Sequence, residues 1–350
     1  MNAKQLTQTS KSMSYLLRHG AEKEGVPYKP DGFILMKDVL NWLNKGLNAD
    51  EMITFKDIET IVASDNKGRY AIEEIEKEMY IKANQGHSFT VKVEMTPITL
   101  DNVDDYGVVL HGTFQEHRSA INATGLNRMS RQHVHMVSLT NPYAFKLMRP
   151  TVDLFVQVDI RSAIIDGYEF SISDNNVILC AGNKDGFIPR QYLTFLDRVK
   201  SPCSGVIVFG IDTAGKYYIS LVRTPKNHWS FPKGKKKKSE VSLQTALREM
   251  TEETGLTALD LSFVELPIYE ENSDKGGLAS TYYTAFYKWT IDNYNLDLTP
   301  EDADELVEAK WVPLDDVVNW KDTEEGGLFR DRRIQIANKM KQDLTSRKLI

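Results

Sequence analysis

Gly234-Lys235-Lys236-Lys237-Lys238-Ser239-Glu240 opens a stretch that resumes, seven residues later, as Arg248-Glu249-Met250-Thr251-Glu252-Glu253-Thr254-Gly255-Leu256. Apolar residues recur at helical spacing from Leu243 to Thr254, and Gly255 is the residue type that ends a helix. On that helix Glu249, Glu252 and Glu253 stand at i, i+3 and i+4, so their carboxylates converge on one face. Three like charges so close repel unless something positive lies among them, and a hard divalent cation, Mg²⁺ above all, suits oxygen ligands. Leu243, Leu247 and Met250 fall on another face and are expected to bury the helix against a sheet. Arg248 is placed to pair with a carboxylate. An exposed acidic helix is the usual fate of a glutamate-rich segment, and Glu252-Glu253 alone would imply no more.

Outward from this helix, Val206 to Gly210 and Tyr217 to Val222 read as two strands of a hairpin, with further strands at Tyr282 to Trp289 and Ala309 to Val312. A last helix is expected over Arg332 to Leu344. Ser201-Pro202-Cys203-Ser204-Gly205 carries clustered stop signals and reads as a linker. Upstream, residues 89–200 alternate β-rich runs (Val108 to Leu110, His133 to Val137, Leu154 to Ile160, Val177 to Leu179) with short helices near Phe114 to Ala123 and Ala144 to Leu147. Residues 1–88 read as helices followed by a hairpin, which suggests a winged-helix module. Met13, Leu16 and Leu17 form an apolar stripe ending at Gly20, a candidate C-cap. Ile34 to Leu43 and Phe55 to Val62 are the next helices. Arg69 to Ile72 and Met79 to Ile81 are the two strands. The expectation is an α+β multidomain chain cut at 1–88, 89–200 and 203–350.

The chain has 350 residues and a formal net charge of -6, so nucleic-acid binding has to rest on local arginine and lysine clusters. Two cysteines, Cys180 and Cys203, make no disulfide framework and no metal-ligand spacing, which points to a reducing, cytoplasmic setting. Met1 to Ser14 is too polar for a signal peptide, and no uncharged apolar run is long enough to cross a bilayer.

Chemistry-bearing residues also recur in front. Leu16-Leu17-Arg18-His19-Gly20, Gly68-Arg69-Tyr70, Asn84-Gln85-Gly86-His87-Ser88, His111-Gly112-Thr113 and Arg131-Gln132-His133-Val134-His135 hold five of the seven histidines. Singly, each has a structural reading: Arg18 and His19 as helix-terminal charges, Arg69 as a solvent-facing wing residue, His133 and His135 as strand residues. In this order they resemble the NAD-dependent RNA 2′-phosphotransferases, a resemblance that spans Met1 to Lys200 and includes Asp185-Gly186-Phe187-Ile188-Pro189. It implies a winged-helix lobe and an ADP-ribosyltransferase-like lobe with the active site in the cleft between them. It also implies removal of an internal RNA 2′-phosphate, as left at a tRNA splice junction, with NAD converted to nicotinamide and ADP-ribose 1″,2″-cyclic phosphate. Arg18, His19, Arg69 and Arg131 are then the catalytic group. His111, Gly112 and Thr113 hold NAD, Arg149 contacts its diphosphate, and Gln85, His87 and Ser88 line the cleft without an assigned role. Lys82 departs from the family, which has arginine there: it keeps the charge and loses the fork.

The stretch from Gly234 to Leu256 matches the Nudix hydrolase signature at every position, and residues 203–350 resemble a Nudix domain. That resemblance implies an α/β/α sandwich, Mg²⁺ or Mn²⁺, and hydrolysis of a nucleoside diphosphate linked to another group, an ADP-ribose derivative being one candidate. Glu249, Glu252 and Glu253 become metal ligands supported by Glu240, with Glu305 or Glu308 as a further base or ligand. Trp229 and Phe231 read equally as core or as base-stacking residues. Two other functions remain open from sequence. One is ADP-ribosyl transfer to terminal nucleic-acid phosphates or to protein. The other is a non-enzymatic nucleic-acid binder with a metabolite-sensing Nudix domain.

Overall fold

The structure is a computed structural model that describes residues 3–49, 51–65, 67–89, 91, 95–292, 297–300, 306–322 and 327–350. The chain forms two compact units. The first is Met1–Asn102 with Ser119–Val137 and Ile160–Tyr192; the second is Val103–Arg118 with Ser138–Asp159 and Leu193–Ile350.

In the first unit, helix Ala3–Tyr15 runs into a π-helical turn, Leu16–Gly20. Met13, Leu16 and Leu17 are fully buried against Val39, Ile58 and Ile81, as their spacing predicts. The helical run ends at Gly20 as expected, but without a left-handed glycine cap: the capping residue is Ala21, which stays right-handed. A Cβ at Gly20 would lie 2.7 Å from the Tyr15 ring, so close packing explains this glycine. Helix Phe55–Ala63 starts at a capping box in which Thr54 and Asp57 bond each other's backbone amides. Strands Tyr70–Ile75 and Glu78–Ala83 pair antiparallel with Ile72 opposite Ile81. Glu76 and Lys77 between them have φ of 54° and 68°, as a tight hairpin of this hand requires. Ile34–Leu35 adds a third strand, so the helix expected from Ile34 begins at Met36. Four more strands, in the order Val134–Ser138, Ile178–Cys180, Phe170–Ser173 and Met95–Ile98, make an antiparallel sheet.

In the second unit, Val109–Thr113, Leu154–Val158 and Leu193–Asp197 form an antiparallel set. The residues read as a linker are largely strand: Cys203–Ile211 is one continuous strand, parallel to Leu278–Tyr287. Its glycine is needed there. A Cβ at Gly205 would lie 2.1 Å from the Pro232 carbonyl oxygen, across the pairing with Lys233–Lys235. Tyr217–Arg223 pairs with Cys203–Ile211 on one edge and with Glu308–Pro313 on the other. Ile207, Phe209, Ile219 and Leu221 pack against Ala337, Met340 and Leu344 of helix Asp331–Ser346. Alternation turns Val206 and Val208 to the opposite face. Helix Ser242–Thr254 contacts the same strand and buries Leu243, Ala246 and Met250, none of which joins that cluster. Leu247 differs from its expected place: it is only half-buried.

Within this unit the strands before residue 200 are bonded into the sheet after it. The buried Gln157 side chain accepts from the Phe263 amide at 2.9 Å and donates to the Ser262 hydroxyl at 3.2 Å. The Val108 amide donates to the Ala258 carbonyl at 3.1 Å. Gly107 permits that approach: its φ is 52°, and a Cβ would lie 2.5 Å from the same oxygen. Tyr283 donates to the Asp197 carbonyl at 2.8 Å and shares a hydrogen bond with Ser242. Among the described residues no helix is long and apolar enough to cross a membrane. Both cysteines are free. Replacing Gln157 by Ala leaves the Phe263 amide without its acceptor, at a cost of about 1–3 kcal/mol. Hydrogen exchange at Phe263 should accelerate accordingly, and unchanged protection would show that the bond contributes nothing.

Candidate active sites

The first unit brings Arg18, His19, Arg69 and Arg131 into one electrostatic neighbourhood. Burial, followed by the charges of Arg69 and Arg131, lowers the Arg18 pKa, although Tyr70 and Asp65 oppose it. Burial, Arg18 and Arg131 likewise lower that of His19. Each residue is placed by its own element. Arg18 and His19 lie on the π-helical turn, where the Arg18 carbonyl accepts from the Ser88 amide at 2.8 Å. Arg69 precedes the hairpin and is clamped by Asp65, with Nε at 2.8 Å and Nη2 at 2.7 Å from Oδ1. Asp65 was not legible as a site residue, although its spacing of four from Arg69 matches a common ion-pair offset. Arg131 lies 3.1 Å from Nδ1 of His135. Gly86 sits among them: a Cβ there would be 3.5 Å from the His135 ring and 3.7 Å from Arg18 Nε.

Around Gly86 the protein leaves buried polar atoms unpartnered. Arg18 Nε, Asn84 Oδ1, Gln85 Oε1 and both ring nitrogens of His87 are buried with no hydrogen bond among the described residues. Each such atom costs about 1–3 kcal/mol of desolvation unless something else supplies a partner. A cavity of 10 Å³, room for about one water, touches Gln85, Gly86, His87 and His135. Burial, then the charges of Arg18, His19 and Lys82, push His87 down to about 4. Lys82 itself is buried, with Nζ 4.5 Å from the centre of the Phe33 ring, so its ammonium faces the protein.

His111, Gly112, Thr113 and Arg149 belong to the second unit. The first three end the strand Val109–Thr113, and Arg149 is exposed. Gly112 has a packing reason of its own, since a Cβ would meet Met148 Sδ at 2.8 Å.

Helix Ser242–Thr254 presents the carboxylate group in the same unit. Arg248 lies among the glutamates, 2.8 Å from Glu240, 2.7 Å from Glu249 and 2.6 Å from Glu252. Glu253 accepts from the Lys233 amide at 2.7 Å. Burial disfavours charge on Glu240, yet Arg248, the Lys237 amide and the Thr245 hydroxyl outweigh it and hold the carboxyl at about 2. Glu249 is raised, by burial first and also by the charge of Glu252, with Arg248 opposing. Among the described residues no three acidic, thiol or imidazole groups are grouped to hold an ion as they stand, and Arg248 supplies the positive charge instead. The donor set nevertheless suits a hard cation. A Cβ at Gly234 would lie 2.0 Å from Glu249 Oε2, so the carboxylate occupies a recess that only glycine leaves open. Glu308 stands apart, paired with Arg223 and Lys310, and Glu305 lies outside the described residues. Trp229 and Phe231 are core residues, at 2% and 0% exposure.

An arginine cluster in one unit and a carboxylate helix in the other define a phosphate-handling enzyme with two chemistries. The chain belongs to the RNA 2′-phosphotransferase, Tpt1 / KptA family, whose model matches residues 4–182, and a NUDIX domain follows over residues 202–331. It is 34% identical over 200 residues to tRNA 2′-phosphotransferase 1 of Danio rerio, covering 55% of this chain and 87% of that one. It is 35% identical over 191 residues to the Homo sapiens protein of the same name, covering 53% and 73%. A solved C. elegans Ap4A hydrolase binary complex is similar at 23% identity, covering 41% of this chain and 98% of that one, with a TM-score of 0.33.

Two consequences are measurable. His87 titrates lower in the folded chain than its unfolded value near 6.5, so the unfolded state binds more protons between about pH 6.5 and 4. Stability should therefore fall as pH drops through that window, by at most about 3 kcal/mol, and His87→Asn should flatten the decline in urea-unfolding curves. Gly234→Ala displaces the Glu249 carboxylate and should weaken Mn²⁺ binding, followed by titration calorimetry, by about 10- to 100-fold. An unaltered affinity would place the ion elsewhere.

Proposed function

We propose that the front domain removes an internal 2′-phosphate from RNA by transferring it to NAD, leaving a 2′-hydroxyl and releasing nicotinamide and ADP-ribose 1″,2″-cyclic phosphate. The observation that carries this reading is the group of unpartnered buried polar atoms beside Arg18, next to Arg69 and Arg131. Three guanidinium groups share this neighbourhood, and a dianion with several acceptor oxygens answers both their like charge and the unmet hydrogen bond of Arg18 Nε. A phosphate dianion is already a nucleophile, so the protein has to position it and balance charge rather than deprotonate it.

In the first step a phosphate oxygen bonds to the ribose carbon that carries nicotinamide, and the nicotinamide bond breaks. In the second, the neighbouring 2″-hydroxyl attacks phosphorus and the bond to the RNA 2′-oxygen breaks, that oxygen taking a proton. Arg18, Arg69 and Arg131 hold the phosphate oxygens through both steps, and His19 orients them. His111, Gly112, Thr113 and Arg149 hold the dinucleotide. Residues 1–88 act as a winged-helix lobe and 89–200 as an ADP-ribosyltransferase-like lobe. A tRNA is the RNA that the names of the relatives favour, and the two free cysteines suit the cytoplasm.

The Nudix domain, residues 203–350 in an α/β/α arrangement, hydrolyses a nucleoside diphosphate derivative. Glu249, Glu252 and Glu253 would hold Mg²⁺ or Mn²⁺, with Glu240 supporting through Arg248. The ion would neutralise pyrophosphate charge and activate water. Lys233 and the exposed Lys235 to Lys238 add positive charge beside it. ADP-ribose compounds are the candidate substrates because the first reaction makes one.

The test uses 2′-phosphorylated RNA and NAD with every product identified by mass. Arg18→Ala and Arg131→Ala should slow RNA dephosphorylation by about 100- to 1000-fold, the scale for losing a preorganised donor to developing charge. Full-speed variants would overturn the assignment, and ADP-ribose retained on the acceptor without cyclic phosphate would select plain ADP-ribosyl transfer.

A further inference from the structure

The second unit contains a cavity of 510 Å³ on the outer side of the carboxylate helix. One wall is the segment Leu139 to Phe145, within the part of the chain matched by the phosphotransferase family. The other is Gln244, Leu247, Arg248, Thr251 and Glu252 with Thr257 to Leu259, all within the NUDIX match. Neither domain encloses this space alone. The two walls are held in place by the Gln157 and Val108 bonds to Phe263 and Ala258.

The lining decides what the cavity takes. Its volume falls in the range that holds a small-molecule moiety. Phe145 supplies an aromatic ring, half-buried and packed edge-on to Phe155 at 5.8 Å. Leu247 and Leu259 are apolar residues with no core to join: Leu247 faces away from the sheet and Leu259 is 40% exposed. Gln244 carries an amide with no hydrogen bond among the described residues. Such an amide offers the donor–acceptor pair that matches the N6 and N7 edge of adenine. An anion is disfavoured. The one cation lining the cavity, Arg248, already bonds three glutamates, and Glu252 adds a negative charge. Glu252 also belongs to the carboxylate group, so the cavity opens beside the place where phosphates would meet the ion.

We infer that this cavity is the base pocket of the hydrolase, taking the adenine of a nucleoside diphosphate, and that the fused transferase segment Leu139 to Phe145 completes it. A planar, uncharged base lies against Phe145, Leu247 and Leu259 and bonds Gln244, while its diphosphate reaches Glu252. The inference rests on the reading of Glu249, Glu252 and Glu253 as the metal site, and its test separates the two.

The full chain is labelled with photoreactive 8-azido-ADP-ribose, without and with Mg²⁺, and labelled peptides are mapped by mass. Label is expected on peptides that contain Gln244 to Leu259 or Leu139 to Phe145, and Leu259→Trp, which puts a larger ring into the cavity, should reduce it. In parallel, Gln244→Ala and Leu259→Trp should raise KM for ADP-ribose hydrolysis about 10-fold, the scale for one lost base contact, with kcat unchanged. The uridine analogue should be affected less by Gln244→Ala. RNA dephosphorylation should stay at wild-type rate in both variants. Label confined to other peptides, or KM unmoved while Glu253→Gln abolishes hydrolysis, would overturn the cavity and leave the metal site standing. Cavity label with hydrolysis insensitive to Glu253→Gln would overturn the metal site and leave the cavity.

Discussion

The Arg248 guanidinium binds Glu240, Glu249 and Glu252 at 2.6 to 2.8 Å, and its Nη2 also donates to the Lys235 carbonyl at 3.0 Å. One side chain thus neutralises a cluster that would otherwise repel itself, and ties the helix to the lysine-bearing loop before it. A planar cation with five donors is suited to this; an ammonium could not reach four acceptors in fixed directions. With Met250 and Leu243 fully buried on the sheet side, the other side of the helix is left to face Leu139 to Phe145.

The first unit poses the opposite charge problem. Arginines 18, 69 and 131 come together from a helix end, a hairpin start and a loop before a strand, and Asp65 clamps one of them. Arg18 is half-buried with its Nε buried and unsatisfied, and burial first, then the charges of Arg18, His19 and Lys82, disfavour a proton on nearby His87. Such an arrangement of like charges is unfavourable by itself, and it is built beside the core of Met13, Leu16 and Leu17, which precede Arg18 in the chain, and Ile81 of the hairpin.

Both sites therefore combine like charges with a local means of tolerating them, and they differ in whether that means is inside the protein. Arg248 satisfies the carboxylates internally. In the arginine group Arg18 Nε keeps an open hydrogen-bonding position, which suits a site that binds an anion and releases it.

Much of this was legible in the residues. The spacing of Glu249, Glu252 and Glu253, the hairpin from Tyr70 to Ala83 and the strand at Val206 depend on local periodicity, which backbone geometry alone reads out. Pairing across the chain was not. Ser201 to Gly205 has the composition of a linker, yet it leads into a central strand because Leu278–Tyr287 and Lys233–Lys235 take up its backbone bonds. Leu247 has the periodicity of a core residue and faces a cavity instead. Which side of a helix is covered depends on what packs there, and that partner, Leu139 to Phe145, lies a hundred residues away in sequence. Residue types and short-range spacing determined the chemistry available to this chain. Only the fold, by satisfying some buried charges and leaving others open, decided where that chemistry has room for a ligand.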